Sequence, residues 1–123
     1  MKRDGFFKHQ VKSFYYAIGG ITYNFKTQLH FRFHLLAAAV VIFLGLFYSI
    51  NPWEWLILII IVTLVIAAEA FNTAIEETCN LLEPDIHPQA RIAKHCAAGG
   101  VLILSIGAII VGLIIFVPKV FNF

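Results

Sequence analysis

The sequence has few charged residues: only 13% of its 123 residues are Asp, Glu, Lys or Arg. Soluble domains carry about a quarter charged residues and about half apolar ones. In this chain 60% of the residues are hydrophobic and the mean hydropathy is +0.85. An ordinary water-exposed exterior is therefore excluded, and the twelve phenylalanines exclude a disordered chain. The length allows a single domain, residues 1–123.

Cysteine and basic residues are also scarce. Cys79 and Cys96 form neither a disulfide framework nor a zinc site, because no His/Cys quartet of ligand spacing accompanies them. The net charge of +2 provides no broad basic face, which argues against nucleic-acid binding. The phosphate loops GxxxxGKS/T and GxGxxG are missing, which excludes a soluble-kinase nucleotide fold. What remains is a small integral membrane protein.

Three long apolar runs predict three membrane-spanning helices, at about residues 31–50, 53–83 and 89–117. The apolar cores of these runs are 35–50, 53–68 and 97–117, of which the first and third carry no charge. The first two cores reach the roughly 20 residues that a bilayer requires only with their flanks. A cleavable signal peptide is the alternative for the first run. It is disfavoured because the run begins more than thirty residues into the chain and no small-residue cleavage site follows it.

The distribution of Lys and Arg predicts the orientation in the membrane. Six basic residues precede the apolar core of the first span and two lie between the cores of the second and third: Lys2, Arg3, Lys8, Lys12, Lys26, Arg32, then Arg91 and Lys94. The loop between the first and second spans has none. The positive-inside rule therefore predicts a cytoplasmic N-terminus and a cytoplasmic second loop.

The segment before the first span has the 3.6-residue period of a helix. Its apolar side chains are Phe7, Val11, Phe14, Ile18, Ile21 and Phe25. Lysines lie between them, so we expect an amphipathic helix at about residues 6–26, on the membrane surface. A plain membrane anchor explains this segment equally well.

Polar residues continue the second span toward the cytosol. Glu69, Asn72, Glu76, Asn80 and Glu83 share one helical face within an arc of about 80°. Carboxylates at membrane depth are costly and suggest a functional site. The deeper one is suited to take a proton and the shallower one to hold a divalent cation. Pairing between helices of an oligomer is the alternative. Lys94 in the following loop is suited to contact phosphate, although the positive-inside rule alone explains it.

Five sequence elements carry a resemblance to a known family. They are EAFNTAIE (69–76), HP (87–88), AKxxAAG (93–99), SFxYAxxG (13–20) and RxH (32–34). Together they resemble the small bacterial membrane diacylglycerol kinase and undecaprenol kinase family. The resemblance implies a homotrimer of all-α subunits in the bacterial inner membrane, each with three spans and an N-terminal surface helix. It also implies transfer of the ATP γ-phosphoryl group to a lipid hydroxyl with Mg²⁺.

The resemblance also assigns roles to individual residues. Glu69 corresponds to the catalytic base, Asn72 to a residue that orients the substrate, and Glu76 to a magnesium ligand. Gln28 stands where the family often has a second metal-ligating Glu and still offers a neutral oxygen. The nucleotide-binding positions are Tyr16, Asp85, His87, Lys94 and His95.

Three departures from the family pattern leave a second function open. Gln28, Asn80 and His95 replace acidic residues, which is compatible with a non-catalytic kinase-fold protein that binds lipid or nucleotide as a regulator. Glu69 and Glu76 favour the kinase, because a scaffold has no need for either acid at this depth. Polar groups at only one end of the spans disfavour a transporter or channel. No feature of the sequence decides between undecaprenol and diacylglycerol as the lipid. The HP and AAG elements resemble the Gram-positive branch of the family, and this resemblance favours undecaprenol.

Overall fold

A computed structural model describes residues 3–82 and 85–123. These residues form four helices and no strand: α1 (Arg3–Thr27), α2 (Leu29–Phe47), α3 (Pro52–Asn80) and α4 (Pro88–Val120). Helices α2, α3 and α4 are each long and apolar enough to cross a membrane. The expected all-α fold, with three spans after an N-terminal helix, is confirmed. Glu83 of the predicted polar face lies outside the described residues.

Helix α3 is the central element of the fold. It packs most extensively along α4 and also against α2, while α1 contacts both α2 and α3. A small core of Ile50, Leu58, Ile115 and Phe116 lies where the α2–α3 turn meets the last turns of α4. We call this region the hairpin end, and the opposite region, where α3 ends and α4 begins, the polar end. Most other large apolar side chains of the spans are exposed, as expected of helices surrounded by lipid.

Helix α2 ends at Phe47, three residues before the expected limit of the first span, in a left-handed turn at the hairpin end. Ser49 has a φ of 49°, the region that non-glycine residues rarely occupy. The Ile50 N–H donates to the Gly45 carbonyl at 3.1 Å, and the Ser49 N–H donates to the Leu46 carbonyl at 3.3 Å. These two bonds are the Schellman motif, which satisfies the last carbonyls of a helix and terminates it.

Helix α3 begins immediately after this turn with a complete capping box. The Asn51 side chain accepts from the Glu54 N–H at 3.0 Å, and Glu54 Oε1 accepts from the Asn51 N–H at 3.2 Å. Pro52 occupies the first helical turn, where its missing N–H costs nothing. The second Glu54 oxygen accepts from Lys119 Nζ at 3.0 Å, and both side chains are partly buried. The start of α3 is therefore fixed to the end of α4 by a charge-assisted hydrogen bond.

Gly45 tests how tightly the hairpin end is packed. A Cβ at this position would lie 2.7 Å from Trp55 Cη2 and 2.9 Å from Trp55 Cζ2. We expect Gly45→Ala to lower the free energy of unfolding by about 1–3 kcal/mol, because the indole ring must move. The measurement is an SDS titration in mixed micelles, followed by tryptophan fluorescence and circular dichroism.

Gly112→Ala is the matched control, since a Cβ on Gly112 meets nothing within 4 Å. Its higher helix propensity predicts a change between zero and about +1 kcal/mol. Equal destabilisation by the two substitutions would contradict the close approach of α2 and α3 at Gly45.

Candidate functional site

Glu69 is a buried carboxylate on a membrane-spanning helix. It is only 4% exposed and follows the uncharged run 55–68 of α3. The His34 Nε2 of α2 lies 3.2 Å from Glu69 Oε1. The buried Thr73 hydroxyl donates to the backbone carbonyl of Glu69 at 3.1 Å, so this hydroxyl is also hydrogen-bonded within α3. A buried carboxylate is costly unless it is paired, and His34 provides that partner.

Glu69 opens onto a cleft of about 280 Å³ between α2, α3 and α4. The lining residues are His30, His34, Glu69, Asn72, Ala98, Val101, Leu102 and Ser105. Four of them bring side chains that can donate or accept hydrogen bonds around the carboxylate, and the α4 wall is mostly small or apolar. A polar headgroup with an apolar tail fits such a lining, because its hydroxyl can approach Glu69 while the rest contacts carbon.

Asn72 and Glu76 form a second polar pair, one turn closer to the polar end. Asn72 Nδ2 donates to Glu76 Oε1 at 3.2 Å, and both residues are half-buried. Asn72 Oδ1 is buried and has no hydrogen-bond partner among the described residues. The amide cannot reverse, because its oxygen would then face the carboxylate. A bound donor or cation at this position would satisfy Asn72 Oδ1.

The oxygen donors near Glu76 are suited to magnesium. Among the described residues, no three His, Cys, Asp or Glu side chains lie close enough together to hold a metal. Magnesium bound with phosphates, however, requires only one or two carboxylates, and its other ligands are phosphate oxygens and waters. Glu76 supplies one carboxylate, beside the unpaired Asn72 Oδ1. Gln28, half-buried at the N-cap of α2, donates from Nε2 to Thr27 and keeps its carbonyl oxygen as an acceptor, but among the described residues no hydrogen bond joins it to Glu76 or Asn72. The fit to the ion therefore rests on Glu76 and Asn72.

Lys94 is positioned by Asn80, across the loop that joins α3 to α4. Its Nζ donates to Asn80 Oδ1 at 3.0 Å. Asn80 is neutral, and no acidic side chain of residues 3–82 and 85–123 forms an ion pair with Lys94, so among these residues its positive charge is available to an anion. Within the loop His87 is the N-cap of α4, and Asp85 lies 4.0 Å from Arg91 in an exposed pair that contributes little stability.

Helix α1 is attached to α3 by a hydrogen bond from the Tyr23 hydroxyl to Glu77 Oε1, of length 3.1 Å. This bond to the carboxylate raises the pKa of Tyr23, because the neutral phenol is the donor. Tyr16 lies two turns earlier on α1 and is exposed. The position of Tyr16 relative to α3 therefore depends on how α1 is held.

The structure brings some of the sequence-predicted residues together and leaves others apart. Glu69, Asn72 and Glu76 lie along one face of α3, and Lys94 meets Asn80. In the described part of the chain, no direct contact joins Tyr16 or His95 to the other candidates.

Sequence reasoning assigned no role to His34 or His30, although both line the cleft. The signal was present: two histidines four residues apart lie on one helical face at the edge of an otherwise apolar span. Their proximity to Glu69 depends on how α2 packs on α3, which spacing along the chain does not reveal.

Comparison with known proteins gives consistent matches. A family model described as prokaryotic diacylglycerol kinase matches residues 15–116. An undecaprenol kinase of Bacillus subtilis is 38% identical over 108 residues, which cover 88% of each chain. A diacylglycerol kinase of Synechocystis is 36% identical over 111 residues, covering 89% of this chain and 63% of the relative. One of Haemophilus influenzae is 30% identical over 109 residues, covering 88% and 92%. No solved structure matches the chain.

Tyr23→Phe tests the attachment of α1. Loss of the hydroxyl removes the bond to Glu77, so we expect amide hydrogens of α1 to exchange roughly two- to tenfold faster while those of α3 are unaffected. Since the folded-state pKa of Tyr23 is raised, its contribution is complete below the ordinary value of about 10 and is lost as pH rises through the raised value. Tyr15→Phe is the control, because Tyr15 is exposed and its hydroxyl has no partner among the described residues. Equal exchange in the two variants would contradict the attachment.

Proposed function

We propose that this chain, which belongs to the prokaryotic diacylglycerol kinase family and is a membrane lipid kinase, transfers the γ-phosphoryl group of ATP to a lipid hydroxyl. The favoured lipid is undecaprenol, with diacylglycerol as the second candidate. The identity to the undecaprenol kinase over most of both chains supports this order. The observation that carries the proposal is the buried Glu69 carboxylate at the open cleft.

Glu69 acts as the general base. The lipid hydroxyl enters the cleft and gives its proton to the Glu69 carboxylate as the hydroxyl oxygen forms a bond to the γ-phosphorus. The bond from that phosphorus to the β–γ bridging oxygen breaks, and ADP leaves with the electron pair. Asn72, on the same face of α3, orients the hydroxyl. Phosphoryl transfer depends mainly on such positioning and on charge neutralisation.

The polar end holds the nucleotide. Lys94, held by a neutral Asn80, binds a phosphate oxygen with its full charge. Asp85 and His87 from the loop, His95 beside Lys94, and Tyr16 from α1 complete the nucleotide site. Glu76 and Gln28 are the residues that would hold Mg²⁺, and the bound ion would neutralise the negative charge of the phosphates.

The proposed setting is the bacterial inner membrane with a cytoplasmic N-terminus, where ATP is available to the polar end. The basic residues before α2 and between α3 and α4 support this orientation. The proposed assembly is a homotrimer. The many exposed apolar side chains and the small residues of α4, among them Gly99 and Gly100, support close helix contacts between subunits.

Glu69→Gln provides the main test. With the base removed, we expect lipid phosphate formation to fall by about 10²–10⁴-fold, while ATP binding changes little. The assay follows transfer of labelled γ-phosphate in mixed micelles that contain undecaprenol or diacylglycerol in parallel.

Glu54→Gln, at the hairpin end of the same helix, is the matched control and should keep its turnover. Equal loss of turnover and ATP binding in Glu69→Gln would contradict the role as a base. No product with either lipid from folded wild-type protein would favour the non-catalytic alternative.

The magnesium ligands are tested by opposite charge changes. We expect Glu76→Gln to raise the Mg²⁺ concentration for half-maximal activity at least about tenfold, because the carboxylate ligand is lost. Gln28→Glu should lower that concentration and raise the activity. Gln10→Glu adds the same charge on an exposed part of α1 and should leave the titration unchanged. Titrations of Glu76→Gln and wild type that coincide would refute the ligand role of Glu76.

A further inference from the structure

We infer that His34 is a positioning residue for Glu69: its Nε2–H holds one carboxylate oxygen and leaves the other to take the proton of the lipid hydroxyl. This inference rests on the proposed function, in which Glu69 is the base. It concerns a residue of α2 that the motif-based role assignments do not include.

The geometry indicates that His34 and Glu69 form a specific, buried pair. His34 Nε2 and Glu69 Oε1 are 3.2 Å apart, and the two side chains are only 17% and 5% exposed. Both side chains line the same cleft, so the pair lies where the hydroxyl has to arrive. A hydrogen bond to an ionised group in such a site is stronger than one in water.

The chemistry of the two groups determines the direction of the bond. An ionised carboxylate only accepts, so the hydrogen of the contact is on the imidazole Nε2. With Oε1 occupied, Oε2 is the oxygen that remains for the substrate. When Oε2 takes the proton, Oε1 still accepts from His34, and the imidazole keeps its own proton throughout. The base therefore stays fixed while its charge changes, which removes a reorganisation step from the transfer.

The lining of the cleft leaves His34 as the donor to Glu69. His30, one turn before His34 on α2, also lines the cleft but is not within hydrogen-bond distance of the carboxylate. The α4 wall of the cleft consists of Ala98, Val101, Leu102 and Ser105.

The test compares His34→Leu with His34→Gln. Leucine removes the donor at similar volume, whereas the glutamine amide still donates but does not titrate. We expect His34→Leu to lower kcat by about ten- to a hundredfold with the KM for ATP unchanged. His34→Gln should restore most of kcat, because its amide can still donate to Glu69 Oε1. A His34→Leu enzyme with wild-type kcat, or a His34→Gln enzyme as slow as His34→Leu, would overturn the inference. Absence of activity in the wild type would instead contradict the proposed function.

A second measurement does not depend on turnover. In protein labelled with ¹⁵N-histidine, Glu69→Gln should change the ring-nitrogen resonances of His34, because its acceptor becomes a neutral amide. His30 has no hydrogen bond to Glu69 and serves as the internal reference. Unchanged His34 resonances would show that the pair does not form, whatever the activity of the variants.

Discussion

The central constraint on this protein is the cost of holding an ionisable carboxylate inside a membrane-spanning helix. Glu69 follows an uncharged run of α3 and is almost fully buried. In lipid such a group is retained only with a partner or a water-filled cavity. The fold provides the partner, because α2 brings His34 to within 3.2 Å, and a cleft toward α4 lies beside the pair. The way α2 and α4 pack on α3 therefore determines both the partner of this carboxylate and the space around it.

The two ends of the spans differ in how firmly their helices are joined. At the hairpin end the Schellman motif, the capping box and the Glu54–Lys119 bond leave little freedom between α2, α3 and α4. At the polar end the side-chain hydrogen bonds that join elements are single bonds between exposed or half-buried groups, such as Lys94 with Asn80 and Tyr23 with Glu77. Bonds of this kind open more easily than buried ones. The proposed nucleotide site therefore lies at the end of the spans that is less tightly tied.

Periodicity and composition were sufficient to predict the helices but not the side-chain contacts between them. Three spans, an N-terminal helix and the polar face of α3 follow from hydropathy and from the 3.6-residue repeat, since both are local properties of the chain. The end of α2 was less predictable, because Ser49 is not a residue that marks a left-handed turn. The His34–Glu69 and Lys94–Asn80 contacts depend on rotation and translation of packed helices. In the sequence, the departure at Asn80 looked like the loss of a negative charge. In the structure, the neutral Asn80 holds Lys94 without neutralising its positive charge.

The short connection between α2 and α3 has a consequence for how the chain enters the membrane. Only the four residues Tyr48 to Asn51 separate the two helices. The turn's backbone donors at Tyr48, Ser49, Ile50 and Asn51 are already bonded to carbonyls of α2 or to Glu54. Each backbone polar group that crosses hydrocarbon without a hydrogen bond costs several kcal/mol. A few such groups together would cost about as much as the stability of a whole protein. The first two spans can therefore be translocated together as a closed helical hairpin, and Lys119 reaches Glu54 only when the last span follows.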